Sequence, residues 1–414
     1  MSSIPVVEGH PDTISIEEHS EVGPIHLTER DHEALETAVN GAEDGPQRIG
    51  IRYTRDGSAY LRSGAFVGIV ALPDGPTVRI DPKTSVDSLL AVLRYAFGSD
   101  PSVIETREEL AGGGDFVNAI AAVYLQELDD VIRQGLDKEY VRTEATERYV
   151  RGQIDAHQQL QRAPIAPITF DCRYEELTHG TLLNAVVLRA TKLLARLADG
   201  SIAADLHGRA QRLEQRVPDR PVTWEDADSI DLHRLNDHYD TLLDIAREVL
   251  RHSFVSDVRS GDQTSFSLLV NMNSVFESVV ERAADAVAAR RNGWRVERQA
   301  ETDSLLQGTP EVTLYPDVLV RVDGDPYVVA DAKWKSSQRN GDLYQLLAYQ
   351  SAHDAPGILF YPYNGGSVST EYTVSGGSDL TLVELPTNAT PEDGSTFAAK
   401  IEKKLAKAFE SANG

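Results

Sequence analysis

Residues 315–335 read Y-P-D-V-L-V-R-V-D-G-D-P-Y-V-V-A-D-A-K-W-K, and no other stretch of the 414-residue chain restricts its fold so tightly. Two apolar runs, 312–322 and 326–335, flank the turn Asp323-Gly324-Asp325, a pattern that predicts a β-hairpin. Side chains of a strand alternate faces, so Asp331, Lys333 and Lys335 should share one face, while Val328, Ala330, Ala332 and Trp334 take the other. Charges at alternate positions of an apolar central strand are unfavourable unless something ionic sits between them. Asp317, at the start of the preceding strand, can lie beside Asp331. Two carboxylates converging with an amine make a hard-oxygen site for Mg²⁺, with Mn²⁺ as the alternative. A bare D-x-K could equally be a surface ion pair, worth at most about 1 kcal/mol. The upstream Pro316-Asp317, the apolar flank and the helical pattern that follows favour the metal site.

Such a constellation suits phosphodiester hydrolysis. The metal would polarise the phosphate and acidify its water; Lys333 would orient or deprotonate that water, or stabilise developing charge. The surrounding pattern predicts a helix over 267–289, strands at 294–298 and 357–361, and helices at 342–351 and 396–410, an α/β sheet arrangement. On the first helix Val275, Phe276, Val279, Val280 and Ala283 form the apolar stripe. Glu277 flanks it, either as an additional metal ligand or simply solvated. Gln345 and Tyr349 lie one helical turn apart, placed to brace the catalytic strand, to touch DNA, or to sit at the core edge.

A chain of this length should hold two or three domains. Residues 1–110 alternate turns with short β-like runs at 13–17, 49–53, 65–72 and 77–80, and two helices at 29–40 and from Ser85 to Gly98, giving a mixed α/β module. Residues 111–260 carry mainly helical periodicity, at 116–132, 184–197 and 233–250, with a short extended piece at 168–174. Residues 261–414 form the third portion. The expected class is therefore α/β and α+β multidomain: a mixed N-terminal module, a helical middle domain and a C-terminal nuclease-like domain.

No apolar run approaches the roughly 18 residues needed to span a bilayer, so no membrane partner is expected. Residues 1–20 are acidic with no Lys or Arg before Arg30, unlike a signal or transit peptide. One cysteine, Cys172, supplies neither an internal disulfide nor a zinc cluster, which points to the cytoplasm. His10, His19, His26 and His32 lack ligand spacing and read as surface or core-edge residues. The net charge of −25 should repel a phosphate backbone. Lysine is scarce, with only Lys83, Lys138 and Lys192 before Lys333. That surface suits a halophilic cytoplasm, where charges are screened within about 3 Å at 1 M salt. A partner protein that holds most of the DNA is a second explanation, compatible with the first.

Pro316-Asp317, D-A-K at 331–333 and Q-L-L-A-Y at 345–349 resemble the PD-(D/E)XK nuclease superfamily with its added Q-x-x-x-Y helix. Beyond this core the chain resembles the McrC family, the nuclease subunit of the McrBC 5-methylcytosine restriction system. The resemblance lies in L-L-A-V-L-R-Y-A-F-G at 89–98, R-G-Q-I at 151–154, F-D-C-R-Y-E-E-L-T-H-G-T-L-L-N at 170–184 and N-M-N-S-V-F-E at 271–277. It implies a PD-(D/E)XK restriction-endonuclease-like domain over 261–414 that cuts double-stranded DNA with Mg²⁺. It also implies a partner, an McrB-like AAA+ GTPase ring, engaged by residues 1–260. By the resemblance Asp317 and Asp331, with Glu277, hold the metal, Lys333 assists the water and Gln345 supports it. The sequence carries no G-x-x-x-x-G-K-[ST] motif, consistent with the nucleotide site lying on the partner. A stand-alone repair nuclease of the same superfamily and a non-catalytic regulator of an NTPase ring remain the alternatives.

Overall fold

The computed structural model describes residues 13–40, 47–98, 116–162, 169–256, 265–300, 314–363, 365–366, 368–374, 379–388 and 394–412. His10 lies outside them, as do residues 312–313 of the first expected hairpin strand. In chain order the first elements are β1 (Thr13–Glu17), β2 (Glu21–Ile25), α1 (Glu29–Glu33), β3 (Ile49–Tyr53), β4 (Ala59–Ser63), β5 (Phe66–Ala71), β6 (Thr77–Asp81) and α2 (Val86–Phe97). Then follow α3 (Phe116–Gln134), β7 (Glu139–Glu147), β8 (Gln153–Ile154), α4 (Ala156–Arg162), β9 (Phe170–Thr178), α5 (Leu182–Leu197), α6 (Gly200–Glu214), α7 (Trp224–Asp228) and α8 (Asp240–Arg251). The last elements are β10 (Ser253–Ser256), β11 (Ser265–Asn271), α9 (Met272–Ala288), β12 (Trp294–Arg298), β13 (Val318–Val322), β14 (Asp325–Ala332), α10 (Asn340–His353), β15 (Gly357–Pro362), β16 (Thr370–Tyr372), β17 (Leu380–Leu385) and α11 (Gly394–Ser411). The protein is mixed α/β and divides into two compact units, Met1–Val123 with His252–Gly414, and Tyr124–Arg251. No helix among the described residues is long and apolar enough to cross a membrane.

Among the described residues the first unit contains three sheets. Its five-stranded sheet runs β1-β6-β5-β11-β10, so β11 pairs antiparallel with β5. Residues 267–271 are thus strand, not the first turns of the expected helix. Leu268, Leu269 and Val270 are all fully buried, and a short run buried on every side carries no period to separate strand from helix. The close pairing requires Gly68, whose φ is 139° and where a Cβ would stand 2.0 Å from the Leu268 carbonyl oxygen. Leu269 joins Ile14, Ile16, Leu35, Leu61 and Ile80 in one core cluster. Thr28 and Asp31 form a reciprocal N-terminal cap on α1, whose continuation over Ala34–Val39 is a π-helix. Ser85 caps α2 and Gly98 closes it in the left-handed region, as the sequence predicts.

The six-stranded sheet, β12-β13-β14-β15-β17-β16, carries the residues of interest. Its centre is the antiparallel hairpin β13–β14 followed by parallel β15 and β17. One face, with Leu319, Val329, Leu359 and Leu382, packs on Leu346 and Tyr349 of α10. On the other face Trp334 meets Phe276 of α9, and Phe360 meets Phe409 of α11, with ring centroids 5.5 and 6.2 Å apart. Each such fully buried side chain contributes about 1.5–3 kcal/mol through removal from water.

The second unit is mostly helical but also holds a three-stranded sheet, β7-β9-β8. Only the piece at 168–174 signalled it, because β7 exposes both faces and so shows no apolar alternation. Helix α8 begins at Asp240 rather than 233, since the Asn236 side chain accepts the His233 N–H at 2.7 Å and holds that backbone in a turn. Asn184 is buried and bonded to Tyr239 and to the Asp137 and His179 carbonyls, a packing role.

Candidate active site

The β13–β14 hairpin sets the site. Asp323 and Gly324 both adopt positive φ, 54° and 102°, which a two-residue hairpin turn demands. The resulting register places Val318 opposite Ala330, and so Asp317 beside Asp331. β13 starts only at Val318; Pro316, two residues earlier, has no N–H to give a ladder. Asp317 Oδ2 instead accepts the Ala332 N–H at 2.7 Å, and the two aspartates share a side-chain hydrogen bond. The Lys333 ammonium is in ion-pair contact with Asp331 Oδ2, and its backbone N–H donates to the Phe360 carbonyl at 2.9 Å. Asp331 is 1% exposed and Asp317 9%, so neither charge is relieved by water.

Electrostatics follow from that burial. Desolvation first, then the charges of Asp331 and Glu277, push Asp317 up to about 8. Asp331 is also raised by burial, against the opposing pull of Lys333. Glu277, half-buried on α9, is raised by burial; Lys333 lowers it and Asp331 raises it, so it belongs to the same electrostatic group. Burial pulls Lys333 down, but Asp331 more than offsets this and holds the ammonium charged. Three carboxylates against one ammonium leave a formal charge of −2 in a desolvated place, which matches a divalent cation. Among the described residues no three His, Cys, Asp or Glu side chains are gathered so that together they could hold a metal ion. Mg²⁺ commonly needs only one or two carboxylates, taking its other ligands from water and substrate phosphate, so the donor set of Asp317 and Asp331 fits.

Gln345 and Tyr349 stand where the helical spacing put them. Gln345 Nε2 donates to the Tyr349 hydroxyl at 2.6 Å, and that hydroxyl donates to the Tyr315 carbonyl at 3.1 Å. Gln345 is exposed and Tyr349 buried, and the pair ties α10 to the segment that leads into Asp317. Tyr349 also feels the charges of Asp331, Lys333 and Asp317. Lys335 departs from expectation. The strand ends at Ala332, Lys335 N–H turns back onto the Lys333 carbonyl at 2.9 Å, and its ammonium pairs with Asp342 at 2.7 Å. Sequence reasoning missed Asp342, and it missed Glu18, which accepts the Trp334 indole N–H at 2.9 Å from 316 positions away. No local pattern signals a contact of that separation.

Comparison with known proteins places the chain. The family model described as McrBC 5-methylcytosine restriction system component matches residues 61–362. Among solved structures, a chain of the half-complex of Thermococcus gammatolerans McrB AAA+ hexamers with bound McrC superposes with a TM-score of 0.60 at 16% identity, covering 96% of this chain and 100% of that one. At that identity the likeness is one of fold. A chain of the Thermococcus gammatolerans McrBC complex scores 0.43 at 18% identity over 66% of this chain and 88% of its own, too low to weigh. No curated protein matches the sequence. The chain belongs to the McrBC 5-methylcytosine restriction system component family.

Proposed function

We propose that this chain is the DNA-cleaving subunit of a GTP-dependent, modification-dependent restriction complex, with a PD-(D/E)XK nuclease core spanning β12 to β17. The observation that carries the reading is the meeting of Asp317, Asp331 and Lys333, with Glu277 in the same electrostatic group, on one desolvated hairpin end. Asp317 and Asp331 would hold Mg²⁺, or Mn²⁺, with Glu277 contributing directly or through water. Bound there, the ion would acidify a water and polarise the scissile phosphate of double-stranded DNA. Lys333, kept charged by Asp331, is poorly suited to take a proton and well suited to face the oxygen on which charge develops. Gln345 and Tyr349 hold the Asp317 segment in place rather than touching the reacting atoms.

The partner is an McrB-like AAA+ GTPase ring, which reads the modified base and whose GTP hydrolysis this chain stimulates. Large exposed apolar side chains concentrate on and beside the β7-β9-β8 sheet, with Tyr140 70%, Tyr149 83% and Leu160 67% exposed. A solvent-facing apolar patch of that kind marks a protein contact, and it lies within the 1–260 portion expected to engage the ring. A ring that carries the DNA also resolves the conflict between cleavage and a net charge of −25.

The test uses the chain copurified with its ring. Asp331→Ala should lower GTP-dependent cleavage of methylated plasmid by more than about 100-fold while leaving ring binding and GTPase stimulation intact. Unchanged cleavage would remove the enzymatic assignment and leave a regulator of the ring. Cleavage by the wild type without the ring or GTP would favour a stand-alone nuclease.

A further inference from the structure

Lysine occurs nine times in this chain, and two of the nine meet at one small cavity beside the catalytic hairpin. The cavity, about 140 Å³, is lined by Glu18, His19 and Lys83 from the loops after β1 and β6 and by Trp334 and Lys335 from the residues after β14. The His19 ring bonds to the Trp334 backbone, and its affinity for a proton is lowered by burial and then by Lys83, Arg339 and Lys335. Lys83 and Lys335 thus share the cavity wall, and Arg339 acts on the same imidazole from outside it. The carboxylates nearby are already engaged. Asp342 holds Lys335, and Glu18, in the cavity wall, accepts the Trp334 N–H at 2.9 Å and is pushed up to about 7 by burial, so that it carries less negative charge than an ordinary carboxylate. Lys83 and Arg339 are exposed. In a protein of net charge −25, such a concentration of cations needs a reason.

We propose that this cavity is a phosphate-binding subsite that grips the DNA backbone next to the scissile phosphate, with Lys83 as its principal contact. It rests on the nuclease reading given above. Lys335 follows Lys333 by two residues, at most about 7 Å along the backbone. A DNA strand advances about 3.4 Å per nucleotide along the helix axis, so the subsite serves a phosphate one or two nucleotides from the one cut. The loop after β6 would then take part in holding substrate, a role separate from contact with the ring. Such a contact positions the strand without reading its sequence.

The experiment measures binding of a short DNA duplex to the full chain in EDTA, where nothing is cut, over a series of KCl concentrations. Lys83→Ala and Lys83→Glu should weaken binding several-fold and lower the slope of log affinity against log salt by about one. Lys83→Arg should restore both, which a loss of folding would not do. Wild-type affinity and slope in Lys83→Glu overturn the subsite. So does protection of the wild type, but not of Lys83→Ala, by inorganic phosphate with DNA binding unchanged, because the cavity would then serve a free phosphate. The nuclease reading fails separately, as a wild type that never cleaves with its ring; a Lys83-dependent slope in that protein would still support the phosphate site.

Discussion

At the residue scale, burial beside other carboxylates makes the charged form of Asp317 unfavourable, a cost that the proposed cation would relieve. The Asp317 carboxyl is raised from an ordinary 3.8 to about 8 by burial and by Asp331 and Glu277. Between those values the folded chain keeps a proton that the unfolded chain has released. The stability this contributes is complete below about pH 4 and disappears as pH rises through about 8. Metal-free protein should therefore lose melting temperature from pH 6 to pH 8.5, and Asp317→Asn should lose less, overtaking the wild type by a few degrees at the upper end. Added Mg²⁺ should raise the wild type but barely move the variant. Thermal melts in EDTA and in Mg²⁺ check this; a difference between the two proteins that ignores pH would mean the aspartate is not under strain.

At the scale of elements, the contact between α10 and the Tyr315 segment fixes where Asp317 sits. Tyr349→Phe keeps the ring in its core place and removes the hydroxyl that the Tyr315 carbonyl and Gln345 both use. The two bonds lost are part-buried and worth about 0.5–1.5 kcal/mol each, enough for a small fall in melting temperature. Turnover should fall about tenfold or more with little change in KM, since the residue positions a ligand segment and does not bind substrate. A KM effect alone would move Tyr349 to the DNA surface. The hairpin, the carboxylates and the Gln345–Tyr349 spacing were legible in the sequence because turn chemistry, two-residue alternation and helical spacing are local rules. What escaped was non-local or two-sided. Glu18 reaches Trp334 across the chain, residues 267–270 of β11 are all buried, and no residue of β7 is. Lys335 looked like a third member of the catalytic face until a tight turn at the strand end sent it to Asp342.

At the scale of the whole molecule, a net charge of −25 acts on folding and on DNA binding in opposite ways as salt rises. Self-repulsion of a strongly acidic surface opposes the compact state, and about 1 M salt screens it within about 3 Å. If the surface is built for a salty interior, melting temperature should climb by roughly 5 °C or more between 0.1 and 2 M KCl, the equivalent of one to two kcal/mol in a domain of this size. A flat or falling curve would leave the charge without that explanation. The same salt competes for the proposed phosphate contact of Lys83, so the isolated chain should lose nearly all affinity for DNA at 2 M KCl. Cleavage under those conditions then depends on the ring delivering the strand to the hairpin. Measuring duplex affinity of the chain alone and of the ring complex across the same salt series separates the two effects. Equal affinities at 2 M KCl would show that the acidic chain holds its substrate unaided, and the ring would no longer be needed to reconcile nuclease and charge.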